Sequence, residues 1–161
     1  MALIVQKFGG TSVGSIEKIR AVAERVLKER QAGHRMIVVL SAMAGETDRL
    51  IGLARQMQHI PDPRELDMLV STGEQVSIAL FAMAVKDAGY DAVSLLGDQV
   101  AIHTDQMHTR ARIDSIDADR INRYLDQGKI VTVAGFQGVS DNGDITTLQL
   151  EIGRASCRER V

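Results

Sequence analysis

The sequence predicts an α/β fold, a three-layer sandwich around a mainly parallel central sheet. Three observations lead there. Short apolar runs alternate with stretches of helical periodicity. The runs at residues 2–5, 36–40, 92–96 and 129–134 are continuous rather than alternating, as in strands buried on both faces. Three of them open into polar, glycine-containing loops, which places a site at the carboxyl ends of the strands.

Taken in order, the first strand, residues 2–5, leads into Lys7-Phe8-Gly9-Gly10-Thr11-Ser12. Strand, glycine turn and helix bring backbone N–H groups together at an anion, and glycines let the backbone approach closely. Lys7 adds a mobile positive charge. The turn reads as phosphate-handling or as a plain tight turn. A helix from about Ser15 follows from Ile16, Ile19, Val22, Ala23, Val26 and Leu27, with Gly33 as its stop. The second strand, 36–40, ends in Ser41-Ala42-Met43-Ala44-Gly45-Glu46-Thr47-Asp48. Leu50, Leu53, Ala54 and Met57 mark one side of a second helix, closed by Pro61 and Pro63. Leu66, Leu69 and Val70 predict a short helix leading into Ser71-Thr72-Gly73-Glu74-Gln75. Residues 76–88 predict a separate, central helix. Strands are then expected at 92–96, 100–104 and 113–116, a helix at 117–127 and a strand at 129–134. Gly135-Phe136-Gln137-Gly138 opens from that strand, and a turn at 141–144 precedes a last short strand at 145–148.

The composition excludes several function classes. Of 161 residues, 45% are hydrophobic, so a packed core is expected and global disorder is not. Aromatics are 3% and tryptophan is absent, which removes the stacking platforms of single-strand nucleic-acid binders. The net charge of −2, with no basic block before the last residues, argues against nucleic acid and anionic membranes as partners. No apolar run approaches the roughly 20 residues of a bilayer span, and no signal peptide is visible. The single cysteine, Cys157, points to a reducing, cytoplasmic setting.

Standard motifs are missing. There is no G-x-x-x-x-G-K-[ST] and no G-x-G-x-x-G after the first strand, which argues against P-loop and Rossmann sites. His34, His59, His103 and His108 lack zinc-type spacing, so no residue is assigned to a metal. Without a G-x-S-x-G elbow, Ser41 is a poor nucleophile.

The remaining signals converge. Lys7 to Val13, Ser41 to Asp48, Ser71 to Gln75 and Gly135 to Gly138, in that order, resemble the aspartokinases of the amino-acid kinase family. The resemblance covers residues 1–148 and implies ATP-dependent phosphorylation of the side-chain carboxylate of L-aspartate to 4-phospho-L-aspartate. It implies Lys7 on the phosphates as the catalytic cation, with Phe8, Gly9, Gly10, Thr11, Ser12 and Ser41 in the ATP and phosphate site. Thr47 and Glu74 would contact aspartate, Glu74 at its α-ammonium group. Mg²⁺ is expected because ATP arrives with it, and the intact parent is expected to be a homo-oligomer. Each residue also has a plainer reading: a surface lysine at Lys7, helix caps at Thr11, Ser12 and Thr47, a first-turn acid facing the helix dipole at Glu74. An acceptor carboxylate is already ionised at neutral pH, so no general base is required.

Residues 149–161 break the pattern. They have no amphipathic period, hold the only cysteine and resemble a translated sequencing adapter, so they are read as a non-native tail. On this reading the domain is truncated: residues 1–148 are the N-terminal part of a catalytic domain, and this chain is expected to bind ATP weakly and turn over little. The competing readings are another amino-acid kinase and a non-catalytic fragment.

Overall fold

A computed structural model describes residues 1–148 of the chain; the expected tail, 149–161, lies outside the described residues. Four parallel strands form the central sheet in the order β1-β2-β6-β3: β1 (Leu3–Phe8), β2 (Arg35–Leu40), β6 (Ile130–Ala134) and β3 (Ala92–Leu95). Its two faces carry separate clusters. One is covered by α1 (Ile16–Gln31) and α3 (Pro63–Asp87), which pack on Phe8, Met36, Val38, Leu40, Ile130 and Ala134. The other is covered by α4 (Asp119–Asp126), whose Leu125 meets Val131 and Val133. This is the three-layer arrangement expected from continuous apolar runs. β6, central and fully buried, is hydrophobic apart from Thr132, whereas β1, at the edge, leaves Leu3 and Val5 exposed.

A second, mixed sheet, ordered β5-β4-β7-β8, was not legible in the sequence. It consists of β4 (Ile102–Thr104), β5 (Ile113–Ile116), β7 (Gln137–Ser140) and β8 (Ile145–Thr147). β7 and β8 form an antiparallel hairpin, with Gln137 opposite Thr147. Gly138 is required where this sheet closes, because a Cβ there would lie 2.5 Å from Thr104 Cγ2 and 2.7 Å from the Ile102 carbonyl oxygen.

Two helix expectations are corrected. The short helix before Ser71 and the helix after Gln75 are one continuous α3 of 25 residues. The hydroxyls that suggested a break bond inside the helix: Ser71 Oγ donates to the Met68 carbonyl (2.8 Å) and Thr72 Oγ1 to the Leu69 carbonyl (2.7 Å). In α2 (Glu46–Met57), Leu50 and Ile51 face α3, whereas Leu53 is exposed and Met57 is 86% exposed. Tertiary packing on Leu66 and Val70 kept Leu50 and Ala54 of the expected stripe but turned it towards Ile51 and away from Leu53 and Met57.

The caps have local causes. Ser15, not Thr11 or Ser12, caps α1, accepting from the Lys18 N–H. Asp62 caps α3, accepting from the N–H groups of Arg64 and Glu65, with Pro63 in the first turn. Replacing Asp62→Ala orphans both donors and is expected to destabilise the chain by about 1 kcal/mol, read as a lower midpoint in urea unfolding.

Candidate active site

Parallel pairing places Phe8 beside Leu40 and Leu40 beside Ala134. The loops leaving β1, β2 and β6 therefore emerge side by side at one sheet edge. They are stitched there by backbone bonds: Ser41 N–H donates to the Phe8 carbonyl (3.2 Å) and Gly135 N–H to the Leu40 carbonyl (2.9 Å). The three loops that the sequence singled out thus meet.

At the first loop, Lys7 is the exposed, next-to-last residue of β1. Its ammonium sits 4.9 Å from the centroid of the Phe136 ring, a cation–π contact across the sheet edge. The Phe8 side chain turns inward and is buried in the core, so only its backbone faces the loops. Gly10 to Val13 form one turn of 3-10 helix, with Thr11 and Ser12 exposed. A Cβ on Gly9 would meet nothing within 4 Å, so that backbone faces open space. A Cβ on Gly10 would lie 2.8 Å from the Ala42 carbonyl oxygen, so only glycine lets the first loop lie against the second.

The second loop runs from Ser41, half-buried, to Gly45, which occupies the N-cap position of α2 with φ 81°. Thr47 therefore lies inside the first turn and is not the cap. Glu46 beside it packs at Gly73, where an added Cβ would be 3.2 Å from Glu46 Cγ. That contact brings the start of α2 against α3 immediately before Glu74. Glu46 is itself held by Arg49 at 2.7 and 2.9 Å, and this hydrogen-bonded pair lowers its carboxyl below the usual range.

Glu74 lies in the middle of α3, so a first-turn role facing the helix dipole is excluded. It is 5% exposed. Gln137 Nε2 donates both to Glu74 Oε2 (3.0 Å) and to the Ser71 carbonyl (3.2 Å). Burial pushes the Glu74 carboxyl up to about 7, against the opposing pull of the Gln137 amide, the Phe136 N–H and the Lys7 charge. The structure thus joins a buried acid, an exposed cation and an open glycine turn at one edge. Chemically, such a combination suits a cationic group at Glu74 and an anionic one at Lys7 and Gly9.

Two residues escaped sequence reasoning. Gln137 and Phe136 stood within a quoted loop but had no assigned role. The available signal was a lone amide between glycines at the end of an apolar strand. Among the described residues, no group of three or more His, Cys, Asp or Glu is arranged to hold a metal ion.

The chain matches the amino acid kinase family over residues 2–155. It is 62% identical over 148 residues to an aspartate kinase of Stutzerimonas stutzeri and 60% identical over 148 residues to an aspartokinase of Geobacillus stearothermophilus. Each match covers 92% of this chain and 36% of the relative, so the chain spans about a third of the length of these proteins. Among solved structures it resembles aspartate kinase from Synechocystis, with a TM-score of 0.75 and 47% identity, over 94% of this chain and 24% of that one. It also resembles E. coli aspartokinase III in complex with aspartate and ADP, with a TM-score of 0.79 and 26% identity, over 92% of this chain and 43% of that one.

Two outcomes test the geometry. The folded chain holds the Glu74 proton more tightly than the unfolded chain does. The stabilising contribution of Glu74 is therefore full below its ordinary value of 4.5 and is lost as pH rises through about 7. Between pH 5 and pH 8, Glu74→Gln should remove a loss on the order of 3 kcal/mol, read as a flatter dependence of urea stability on pH than in the parent chain. Gly10→Ala forces a methyl group against backbone and is expected to cost about 1–3 kcal/mol in the same measurement.

Proposed function

This chain belongs to the amino acid kinase family, and we propose that it is the N-terminal part of the catalytic domain of an aspartate kinase. The reaction is transfer of the ATP γ-phosphoryl group to the side-chain carboxylate of L-aspartate, giving 4-phospho-L-aspartate, the first step towards lysine, threonine and methionine. The observation that carries this reading is that the adjacent residues Phe136 and Gln137, just after β6, meet Lys7 and the buried Glu74 respectively.

The chemistry asks little of the protein beyond placement and charge. A carboxylate oxygen of aspartate attacks the γ-phosphorus as the bond to the bridging oxygen breaks, and ADP departs with that electron pair. No proton moves, so no base is needed. Two anions must be brought together, which makes neutralising charge the main task. Lys7 is exposed at the end of its strand and can leave the Phe136 ring for the phosphates. Gly9 and Gly10 would present backbone N–H groups to them; the open space at Gly9 fits such a group. Thr11, Ser12 and Ser41 would line the nucleotide side of the same edge. Mg²⁺ would be carried on the ATP phosphates.

Glu74 is suited to the substrate ammonium. A buried carboxyl poised near neutrality gains an opposite charge when an amine binds and ionises against it. Thr47, in the first turn of α2, would complete the aspartate side of the site. The setting is read as cytoplasmic. α3 is long and apolar enough to cross a membrane by length and composition, but half of its apolar window is buried in the core.

The 161-residue chain is expected to bind ATP weakly and to show little or no turnover, since it spans 36% of its relatives' length. Normal turnover by the purified chain would defeat that expectation. In a full-length enzyme carrying this segment, Lys7→Ala should reduce turnover on the order of 10²-fold or more, whereas an unchanged rate would remove Lys7 from its role. The affinity of the full-length enzyme for L-aspartate should fall as pH drops below about 7, where Glu74 takes up its proton, and Glu74→Gln should abolish that trend. A panel of carboxylate, carbamate and phosphate acceptors assayed alongside would separate aspartate from the substrates of other amino-acid kinases.

A further inference from the structure

We propose that Asp67 is a positioning residue for Glu74, pinning to α3 both β8 and the loop that carries His108 and Thr109. The inference deepens the reading of Glu74 as the ammonium-binding group and rests on it.

Asp67 is 0% exposed and precedes Glu74 by seven residues on α3. Seven residues are about two helical turns, so both acids lie on one face. Among the described residues, every side-chain hydrogen bond of Asp67 is with a group distant in the sequence. Oδ2 meets His108 Nδ1 at 2.9 Å, and the Thr109 N–H donates to Oδ1 and Oδ2 at 3.1 and 3.0 Å. Thr147 Oγ1 donates to Oδ1. Thr147 is the register partner of Gln137 in the β7–β8 hairpin, and Gln137 is the residue that holds Glu74. The hairpin is therefore fastened to α3 at three places, by Asp67 through β8, by Glu74 through β7 and by Arg64, whose Nε donates to Asp144 in the hairpin turn (2.8 Å). A fourth tie, between the hydroxyls of Thr104 and Thr146 at 2.6 Å, joins the same hairpin to β4.

Two further observations set Asp67 apart from ordinary packing. Its neighbours Leu66 and Val70 are core residues, and an apolar side chain at 67 would avoid the desolvation of a buried acid. Thr109 holds φ at 66°, left-handed backbone that a β-branched residue adopts only under constraint, and its N–H is the group delivered to Asp67. β7 and β8 have four and three residues, too few to hold a register on their own. The polar anchor supplies what the short ladder lacks, and the Gln137 amide is thereby kept within reach of Glu74 and the Ser71 carbonyl.

The test uses the 161-residue chain and NMR, without substrate. Exchange of the Gln137 side-chain amide protons is compared with that of the β6 backbone amides, and the Glu74 carboxyl is titrated. Thr147→Val removes one hydroxyl and no charge. It is expected to speed Gln137 amide exchange about tenfold or more, with the β6 amides unchanged, and to move the Glu74 midpoint. Asp67→Leu should do the same to Gln137. Asp67→Asn should preserve its protection, because the amide oxygen still accepts from Thr109 and Thr147, and the amide nitrogen can donate to His108. Gln137 protection equal to the parent chain in Thr147→Val overturns the proposal, even if Asp67→Leu fails to fold. Loss of Gln137 and β6 protection together in Thr147→Val also overturns it, since that is general loosening. None of these readings involves L-aspartate, so failure of the substrate assignment would be seen separately, as absent binding by a full-length enzyme.

Discussion

The insertion of β6 between β2 and β3 is the constraint on which the site depends. Parallel strands need crossover connections, and here the chain passes from β2 through α2 and α3 to the far edge strand before β6 returns to fill the gap. The closing strand is therefore central, buried on both faces and register-locked by two neighbours. Its carboxyl end delivers Phe136 and Gln137 to a place already bordered by the loops after β1 and β2. Shifting that register by one residue would exchange the residues of β6 that face the two core clusters and carry Gln137 away from Glu74.

α3 answers the same constraint from the other side. Its long apolar run covers one face of the sheet, yet the stripe of Asp67, Ser71 and Glu74 is polar and buried. Buried acids are tolerated only where donors meet them. The donors come from β7, β8 and the His108–Thr109 loop, so the second sheet is as much a partner of α3 as the central one. The site at Glu74 and the docking of that sheet are one arrangement of hydrogen bonds. The raised Glu74 carboxyl follows from the same enclosure: water is excluded, and a single amide, one N–H and a lysine charge offset only part of the loss.

The first loop pairs exposed groups with a close-packed one. Lys7 has a long, exposed side chain resting on the Phe136 ring. Gly9 faces open space, while Gly10 is wedged against Ala42. One glycine leaves room and the next closes the junction between loops, so the two are not interchangeable.

By itself the sequence determined the α/β class, the parallel central strands and the glycine-containing loops that leave three of them. These are local properties: period, glycine, charge and order along the chain. Ser41, Thr47 and Glu74 were singled out only by the resemblance of their motifs to a family. Tertiary structure alone decided that α3 is unbroken, because the Ser71 and Thr72 hydroxyls bond within the helix instead of ending it. It decided that α2 buries Ile51 beside Leu50, rather than Leu53 and Met57, because the facing surface of α3 selects the stripe. It also decided that Gln137 reaches Glu74 and Thr147 reaches Asp67, since those contacts join residues 63 and 80 positions apart. No period or motif encodes which distant donor will reach a buried acid; that follows only once strand order and register have brought the two together.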